Sequence, residues 1–268
     1  MSTAQPAGPS GVFDEQLATE YDETRGIGET SMRQLTATLR SELHDAQPCL
    51  EVGVGTGRIS LPLHEAGIDV VGIDPSAPML ARLLTKGEGR LPFPLLRADA
   101  LALPFGEARF GSALFCHVLH LIPAWQDAIA ETVRILRPGG RLLVELVRGR
   151  DRTTEEAEVR AHFHQVAGVP PHAPLGVRDP DAVDACFRHL GWRGRELPTV
   201  IAERQATLRQ MIDQWERGIH SSNRHLAEAE RRRAAAATRD WAEARFGTLD
   251  RPATRERAIE WRAYEAVR

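Results

Sequence analysis

Several residue types are scarce in this sequence, and each scarcity excludes a class of protein. The three cysteines, Cys49, Cys116 and Cys186, are too far apart to form a disulfide framework or a zinc site. No apolar run approaches the roughly 20 residues of a membrane span, and residues 1–11 lack the basic and apolar regions of a signal peptide. We therefore expect a cytoplasmic protein with free thiols and no membrane span.

Lysine is also nearly absent. Lys86 is the only lysine among 34 basic residues, and the formal net charge at pH 7 is −3. The field of such a protein does not attract a polyanion, and the sequence contains no basic accessory domain. We expect no nucleic-acid partner.

The sequence does contain a regular alternation of short apolar runs and helical stretches between residues 45 and 147. The predicted strands are 49–52, 69–73, 94–97, 110–116 and 141–146. The predicted helices between them are 57–66, 77–86 and 125–136. Strands that alternate with helices of about 10–15 residues indicate βαβ units. We therefore predict an α/β fold with a doubly wound, mainly parallel sheet.

Other segments flank this core. Residues 1–12 are small and polar and are expected to form a disordered leader. Phe13, Leu17 and Tyr21 recur every four positions, which predicts a helix over 13–25. The remaining predicted elements are helices at 29–44, 154–165, 179–190, 206–217 and 226–246 and strands at 196–203 and 258–264. We expect a single domain over 13–268, with the core at 45–147 and a helical insertion at 205–250 before the last strand.

A glycine-rich turn joins the first predicted strand to the helix after it. In the run from Leu50 to Arg58, Gly53 and Gly55 allow a ligand close to the backbone, and the helix start favours a polar or negative group. The dinucleotide fingerprint G-x-G-x-x-G requires a third glycine where this chain has Arg58. Arg58 therefore opposes a dinucleotide site, and an NAD-dependent oxidoreductase is kept as an alternative function. A purely structural strand-to-helix turn is the alternative interpretation of the glycines.

Acidic residues follow the next two strands. Asp74 ends the second strand, where a carboxylate can accept two hydrogen bonds from a ribose diol, or can cap the next helix. Asp99 follows the third strand, where it can accept from an adenine amino group or form a turn. Because parallel strands end at one edge of the sheet, both acids are expected on the side of the glycine turn.

In this arrangement the chain resembles the class I S-adenosylmethionine-dependent methyltransferases, within the ubiquinone/menaquinone-type superfamily and its small-molecule branch. The resemblance rests on residues 51–57 (EVGVGTG), 71–74 (VGID), 97–100 (RADA) with 103–105 (LPF), and 136–142 (LRPGGRL). It covers about residues 13–146. It implies a Rossmann-like, seven-stranded sheet with a helical N-terminal cover and C-terminal helical insertions.

The resemblance also implies the cofactor, S-adenosylmethionine, and the residues that contact it. Gly53 and Gly55 would lie against its methionine part, Asp74 would hold the ribose, and Asp99 the adenine amino group. Arg25 would pair with the cofactor carboxylate or else be a solvated surface residue. The full predicted cofactor-binding set is Tyr21, Arg25, Glu51, Gly53, Gly55, Asp74, Pro75, Met79, Asp99, Ala100, Cys116 and His117.

The acceptor side is less visible in the sequence. Methyl transfer is an in-line displacement, so the protein mainly aligns the reactants and excludes water. His117 and His120 follow the fourth strand and could accept a proton, or could simply pack there. Residues 148–180 are expected to form a substrate lid, and the helices of 205–250 to extend the substrate wall or form a homodimer contact.

We therefore predict an enzyme that transfers a methyl group from S-adenosylmethionine to a small organic acceptor. Methylation at oxygen, nitrogen or carbon stays open. The two alternatives are an NAD-dependent oxidoreductase and a non-catalytic cofactor-binding module on the same fold. No metal is expected.

Overall fold

The computed structural model describes residues 15, 18–19, 21–22, 26–146, 154–168, 175–219, 223 and 226–267. The disordered leader predicted at 1–12, most of the helix predicted at 13–25, and Arg25 itself lie outside the described residues. The chain divides into two compact units, the first made of Met1–Arg148, Pro174–Ile201 and Ala258–Arg268, the second of Gly149–Ala173 and Ala202–Arg257.

The described part of the chain contains eight strands and eight α-helices with the following bounds. The strands are β1 (Cys49–Val52), β2 (Val70–Ile73), β3 (Leu95–Leu96), β4 (Phe110–Phe115), β5 (Leu136–Leu146), β6 (Trp192–Glu196), β7 (Val200–Ala206) and β8 (Ala253–Ala266). The helices are α1 (Glu29–Leu43), α2 (Ser60–Glu65), α3 (Ala77–Lys86), α4 (Trp125–Ile135), α5 (Glu155–Val166), α6 (Pro180–His189), α7 (Leu208–Arg217) and α8 (Glu228–Phe246).

The strands form one mixed sheet in the order β3-β2-β1-β4-β5-β8-β6, with β7 beside β8. β1 to β5 pair in parallel, whereas β8 is antiparallel to both β5 and β6. The helices α2, α3 and α4 connect β1 to β2, β2 to β3 and β4 to β5, as the alternating pattern predicts. The predicted α/β fold with a mainly parallel sheet is confirmed.

Register brings the carboxyl ends of the central strands to one edge. Val52, the last residue of β1, pairs with Ile73 of β2 and with Phe115 of β4. β1 and β4 are buried along their whole length, which explains why their sequences are mostly apolar and do not alternate between apolar and polar residues. The segments after these strands, 53–59, 74–76 and 116–118, therefore start at the same edge of the sheet.

The helices and strands of the core agree with the sequence except at their ends. α3 has the predicted bounds, and α1 and α4 end one residue earlier than predicted. α2 begins at Ser60 rather than at 57, since Gly57 has a positive φ of 77°. Pro62 therefore falls in the first turn of α2, where its missing N–H removes no helical hydrogen bond.

Two strand predictions were wrong. The strand predicted at 196–203 is two strands, because Pro198, which has no N–H, follows the last pairing bond, from Leu197 N to Trp261 O at 2.9 Å. β5 begins at Leu136 instead of 141, since Leu136 pairs with Phe110 across an irregularity in β4. The sequence predicted seven strands, and the described residues form eight.

The second unit has a core of its own. Thr154 caps α5 and Thr207 caps α7, each accepting from a backbone N–H in the first turn. The buried residues that α5, α7 and α8 contribute to this core include Val159, Phe163, Ile212, Trp215, Ala234, Ala235 and Ala242. Most of the predicted lid and insertion residues belong to this unit. Their role as a lid and the single-domain organisation stay predictions.

Among the described residues, no helix combines the length and the apolar character that crossing a membrane requires.

The tight contact between β4 and the turn before β1 generates a stability prediction. A Cβ on Gly111 would lie 2.5 Å from the carbonyl carbon of Ala46, whereas a Cβ on Gly106 would meet nothing nearer than 4.0 Å. We expect Gly111→Ala to lower the free energy of unfolding by about 2 kcal/mol or more, because backbone must move. Gly106→Ala is the control and should stay within about 0.5 kcal/mol of the parent. Urea unfolding measures both, and equal stabilities would contradict the contact.

Candidate cofactor-binding site

The turn after β1 needs glycine at three positions. Gly53, Gly55 and Gly57 have φ values of 78°, 54° and 77°, a region that other residues rarely adopt. A Cβ on Gly53 would lie 2.7 Å from Val118 Cγ2, and a Cβ on Gly55 would lie 3.2 Å from Met79 Cε. The turn is therefore a bare backbone surface, with Val118 against one side and Met79 against the other.

Asp74 holds this turn in place. Its carboxylate accepts the N–H of Gly55 at 2.9 Å and the N–H of Ser76 at 2.8 Å, one on each oxygen. The helix cap is Ser76, whose hydroxyl accepts from Met79 N, so the alternative interpretation of Asp74 as the cap is wrong. Burial raises the pKa of Asp74, and the two accepted N–H bonds oppose that shift. Each oxygen keeps acceptor capacity for a further donor, as a ribose diol would require.

The end of β3 lies beside Asp74. Ala98 N donates to Asp74 O at 3.3 Å, and Arg97 Nε donates to Pro75 O at 3.0 Å. Asp99 is exposed and accepts from Leu101 N at 3.0 Å, which makes the turn that the sequence offered as its alternative role. One oxygen of Asp99 thus braces the turn and the other can meet a donor, while Ala100 beside it is buried.

The Glu51 side chain bonds to a residue outside the glycine turn. Its carboxyl group is buried and accepts a hydrogen bond from Ser60 Oγ at the start of α2. Burial raises the pKa of Glu51 to about 8, against the lowering effects of the Ser60 hydrogen bond and the Arg58 charge. Glu51 therefore holds its proton at neutral pH and ties β1 to α2.

A second polar cluster lies at the ends of β4 and β5. Cys116 Sγ donates to Glu145 Oε2 at 2.9 Å, and Arg58 Nη2 donates to Cys116 Sγ at 3.1 Å. Arg58 Nη2 is 3.7 Å from Glu145 Oε2, and His117 Nε2 is 3.4 Å from Glu145 Oε1. Burial and the adjacent Glu145 raise the pKa of Cys116 well above its ordinary value, so this cysteine remains a thiol donor.

The two candidate histidines lie next to this cluster. His117 has a φ of 54°, unusual for a residue with a side chain, and its ring packs edge-on against His120 at 5.8 Å between centroids. A small cavity opens beside them at the ends of β4 and β5. Its lining combines apolar and polar side chains, among them Val118, His120, Val144, Glu145, Val177 and Arg178.

A third cluster joins the glycine turn, the N-terminal segment and the end of α3. Thr56 Oγ1 donates to Asp22 Oδ1 at 2.6 Å, and Lys86 Nζ is 2.6 Å from Asp22 Oδ2. Lys86 Nζ also donates to Thr56 O at 2.8 Å. The only lysine of the chain thus attaches the N-terminal segment, at Asp22, to the glycine turn.

Similarity to known proteins agrees with this geometry. A family model described as a methyltransferase domain matches residues 50–144. A methyltransferase of Geobacillus kaustophilus is 33% identical over 165 residues, which cover 57% of this chain and 75% of that protein. The chain belongs to the class I S-adenosylmethionine-dependent methyltransferases.

Another relative matches a shorter stretch of this chain, and a solved structure matches most of it. The demethylmenaquinone methyltransferase of Thermus thermophilus is 41% identical over 98 residues, 35% of this chain and 44% of that protein. The chain spans about half the length of the curated relatives it matches. The YcgJ protein of Bacillus subtilis, 18% identical with a TM-score of 0.58, covers 89% of this chain and 99% of its own and shares the fold.

The structure thus brings most residues predicted to bind the cofactor to one edge of the sheet of this methyltransferase. Gly53, Gly55, Asp74 and Met79 meet around the turn, and Cys116 and His117 follow the adjacent strand. Tyr21 is half-buried and lies close enough to Arg58 to influence the pKa of that residue. Glu51 is the exception in orientation, and Arg25 lies outside the described residues.

Sequence reasoning missed the contacts that Arg58, Glu145, Thr56 and Lys86 make at this edge of the sheet. Two signals were available: Glu145 is an acid in the apolar run of β5, and Arg58 replaces the third glycine of the dinucleotide pattern. A charged residue that replaces a glycine, or that interrupts a buried strand, usually has a buried partner. Neither signal identifies that partner.

The raised pKa of Glu51 predicts how stability depends on pH. The folded protein holds this proton up to about pH 8, while the ordinary pKa is 4.5, so between these values the unfolded chain binds fewer protons. The free energy of unfolding should therefore fall as the pH rises through this window, by at most about 1.4 kcal/mol per pH unit from this group.

Glu51→Gln should lack that slope and gain stability relative to the parent as the pH rises from 5.5 to 8.5. Urea unfolding at several pH values measures the difference between the two proteins, which cancels the contributions of all other groups. Parallel curves would show that Glu51 is ionised in the folded state.

Proposed function

We propose that this protein transfers a methyl group from S-adenosylmethionine to a small organic acceptor. The observation that carries the proposal is the bare glycine turn at the carboxyl edge of β1, held by the Asp74 carboxylate, in a chain of this family. When bound, the cofactor supplies a methyl group that is already activated on a sulfonium. The methyl group passes to the acceptor as the sulfur takes back the electron pair of the broken S–CH3 bond. The protein residues then have three tasks: to hold the cofactor, to orient the acceptor, and to exclude water.

The cofactor would be held by the residues that meet at this edge. Gly53 and Gly55 would lie against its methionine part, because they have no side chains of their own to keep a ligand from the backbone. Asp74 retains acceptor capacity for the ribose diol, and Asp99 has a second oxygen for the adenine amino group. Met79, whose methyl group lies against Gly55, would pack on the adenosine.

His117 and His120 are the candidates for accepting a proton from the acceptor. The carboxylate of Glu145 lies 3.4 Å from His117 Nε2 and would stabilise an imidazolium there. His120 lines the cavity at the ends of β4 and β5, beside apolar side chains such as Val144 and Val177. An acceptor that must lose a proton before it is methylated would use one of these histidines.

The relatives match only part of this chain, so their acceptors do not identify the acceptor of this protein. The Thermus thermophilus enzyme is named for demethylmenaquinone, and its match to this chain covers 98 residues. The family model ends at residue 144, so it covers the cofactor side and none of the chain after β5. We therefore propose a small-molecule acceptor and assign its selection to the residues after β5.

The segment 148–180 is proposed to be the lid over the acceptor, in one domain with the core, and the helices of 205–250 to form the substrate wall or a homodimer contact. A cytoplasmic location and the lack of a nucleic-acid partner belong to the same proposal. The net charge of −3 and the scattered free cysteines support these two points.

Calorimetric titration with S-adenosylhomocysteine, and with NADH in parallel, tests the cofactor. We expect binding of the first at micromolar concentration and none of the second. Asp74→Ala should weaken binding at least tenfold, because it removes a charged acceptor and frees the turn. Asp69→Ala is the matched control at the other end of β2, since Asp69 is exposed, and it should bind like the parent.

Binding of NADH alone would overturn the proposal and make the turn a dinucleotide site. Equal losses in Asp74→Ala and Asp69→Ala would remove Asp74 from the site.

A further inference from the structure

Arg58 is a half-buried cation whose side chain has few partners among the described residues. Its side chain is 10% exposed, and Nη2 makes both of its close contacts, with Cys116 Sγ at 3.1 Å and Glu145 Oε2 at 3.7 Å. A guanidinium has five N–H donors in a planar fork. Within the described residues, Nε and Nη1 of Arg58 have no hydrogen bond. Neither nitrogen is fully buried, so both can donate to a ligand.

Arg58 remains charged in this environment. Burial alone lowers its pKa, but the negative charge of the adjacent Glu145 has the opposite effect, and the pKa ends above its ordinary value. Glu145 does not satisfy the cation by itself, since its carboxylate also receives Cys116 Sγ–H and lies next to His117.

The other acids of this edge are not available to Arg58. Glu51 holds its proton at neutral pH, Asp74 accepts two backbone N–H groups, and Asp22 pairs with Lys86. Among the described acids, Glu145 is therefore the anionic partner of Arg58, and the arginine has capacity for a second one.

The position of Arg58 indicates which part of a ligand it meets. It follows the glycine turn directly and reaches the ends of β4 and β5, at Cys116 and Glu145. Val118, two residues beyond Cys116, packs against Gly53, so the turn and the segment after β4 border the same space. Met79 and Asp74, which would hold the adenosine, lie on the Gly55 side of the turn.

We propose that Arg58 donates hydrogen bonds to the α-carboxylate of the amino-acid part of S-adenosylmethionine. This rests on the proposed function. The assignment replaces Arg25 as the partner of that carboxylate. A planar guanidinium forms paired, charge-assisted bonds with a carboxylate, and these strengthen where water is excluded. Arg58 is then a cofactor-binding residue, and Glu145 and Cys116 are positioning residues that hold its Nη2.

Two ligands that differ only in the amino-acid part test this. S-adenosylhomocysteine carries the carboxylate, whereas 5′-methylthioadenosine has the same adenosine and thioether without it. In calorimetry, Arg58→Met should weaken S-adenosylhomocysteine binding about 30-fold, as expected for a lost charge-assisted bond, and change 5′-methylthioadenosine binding less than threefold. Arg33→Met, on an exposed face of α1, is the matched control and should change neither.

Arg58→Lys covers the case in which Arg58→Met fails to fold, because it keeps a cation opposite Glu145. It should fold with a melting temperature close to the parent and still weaken S-adenosylhomocysteine severalfold, since a lysine cannot form the paired geometry. 5′-methylthioadenosine binding should again be unchanged.

Equal losses for the two ligands in the Arg58 variants would show a structural role only and overturn the assignment. A selective loss in Arg25→Met, with Arg58→Lys and Arg58→Met unaffected, would return the carboxylate to Arg25 and also overturn it. A parent protein that binds neither ligand would overturn the proposed function itself. If the parent binds both ligands, the proposed function stands and the variants test the role of Arg58 alone.

Discussion

The site depends on one carboxylate that accepts two backbone N–H groups. Asp74 fixes Gly55 in the turn after β1 and Ser76 at the start of α3, so one side chain holds two loops together at the sheet edge. The turn needs such bonds, and others from Gly53 N and Val54 N to Ile73 O, because its three positive-φ glycines are the residues with the most conformational freedom to lose. A rigid, bare backbone surface is what allows a ligand to approach that closely.

The charges around this turn are divided among separate partners. Asp22 pairs with Lys86, Glu51 keeps its own proton and accepts a hydrogen bond from Ser60, and Glu145 interacts with Cys116 and His117. This division has a physical reason: a buried carboxylate is tolerated only when it is neutral or well bonded. It leaves Arg58 as the charged side chain with capacity to spare, next to the place where the amino-acid part of the cofactor would lie.

The two halves of the chain differ in how much of the chemistry can be inferred from their structure. The first half contains the glycine turn, the acids and the matched family region, residues 50–144. The second unit has its own apolar core around Phe163, Ile212 and Trp215, with His162 stacked on Trp241 at 4.3 Å between ring centroids. Those contacts are packing contacts, which explains why the acceptor is harder to infer than the cofactor.

Local rules were enough for much of this protein. The glycine pattern, the acids after β2 and β3, and the bounds of α3 follow from turn chemistry, capping and periodicity, which act over a few residues. The break between β6 and β7 was also encoded, in Pro198, but the prediction missed it. Glu51 was assigned to the ligand because it precedes the turn, and only the contact with Ser60 shows which way it faces.

Tertiary structure alone decided which distant residues meet. Arg58, Cys116 and Glu145 are separated by tens of residues, and they converge because parallel strands end at one edge and buried charges must find partners there. The same holds for Asp22 and Lys86. Sequence spacing carries no trace of such pairings, since a side chain's partner across a sheet is fixed by register and strand order rather than by position in the chain.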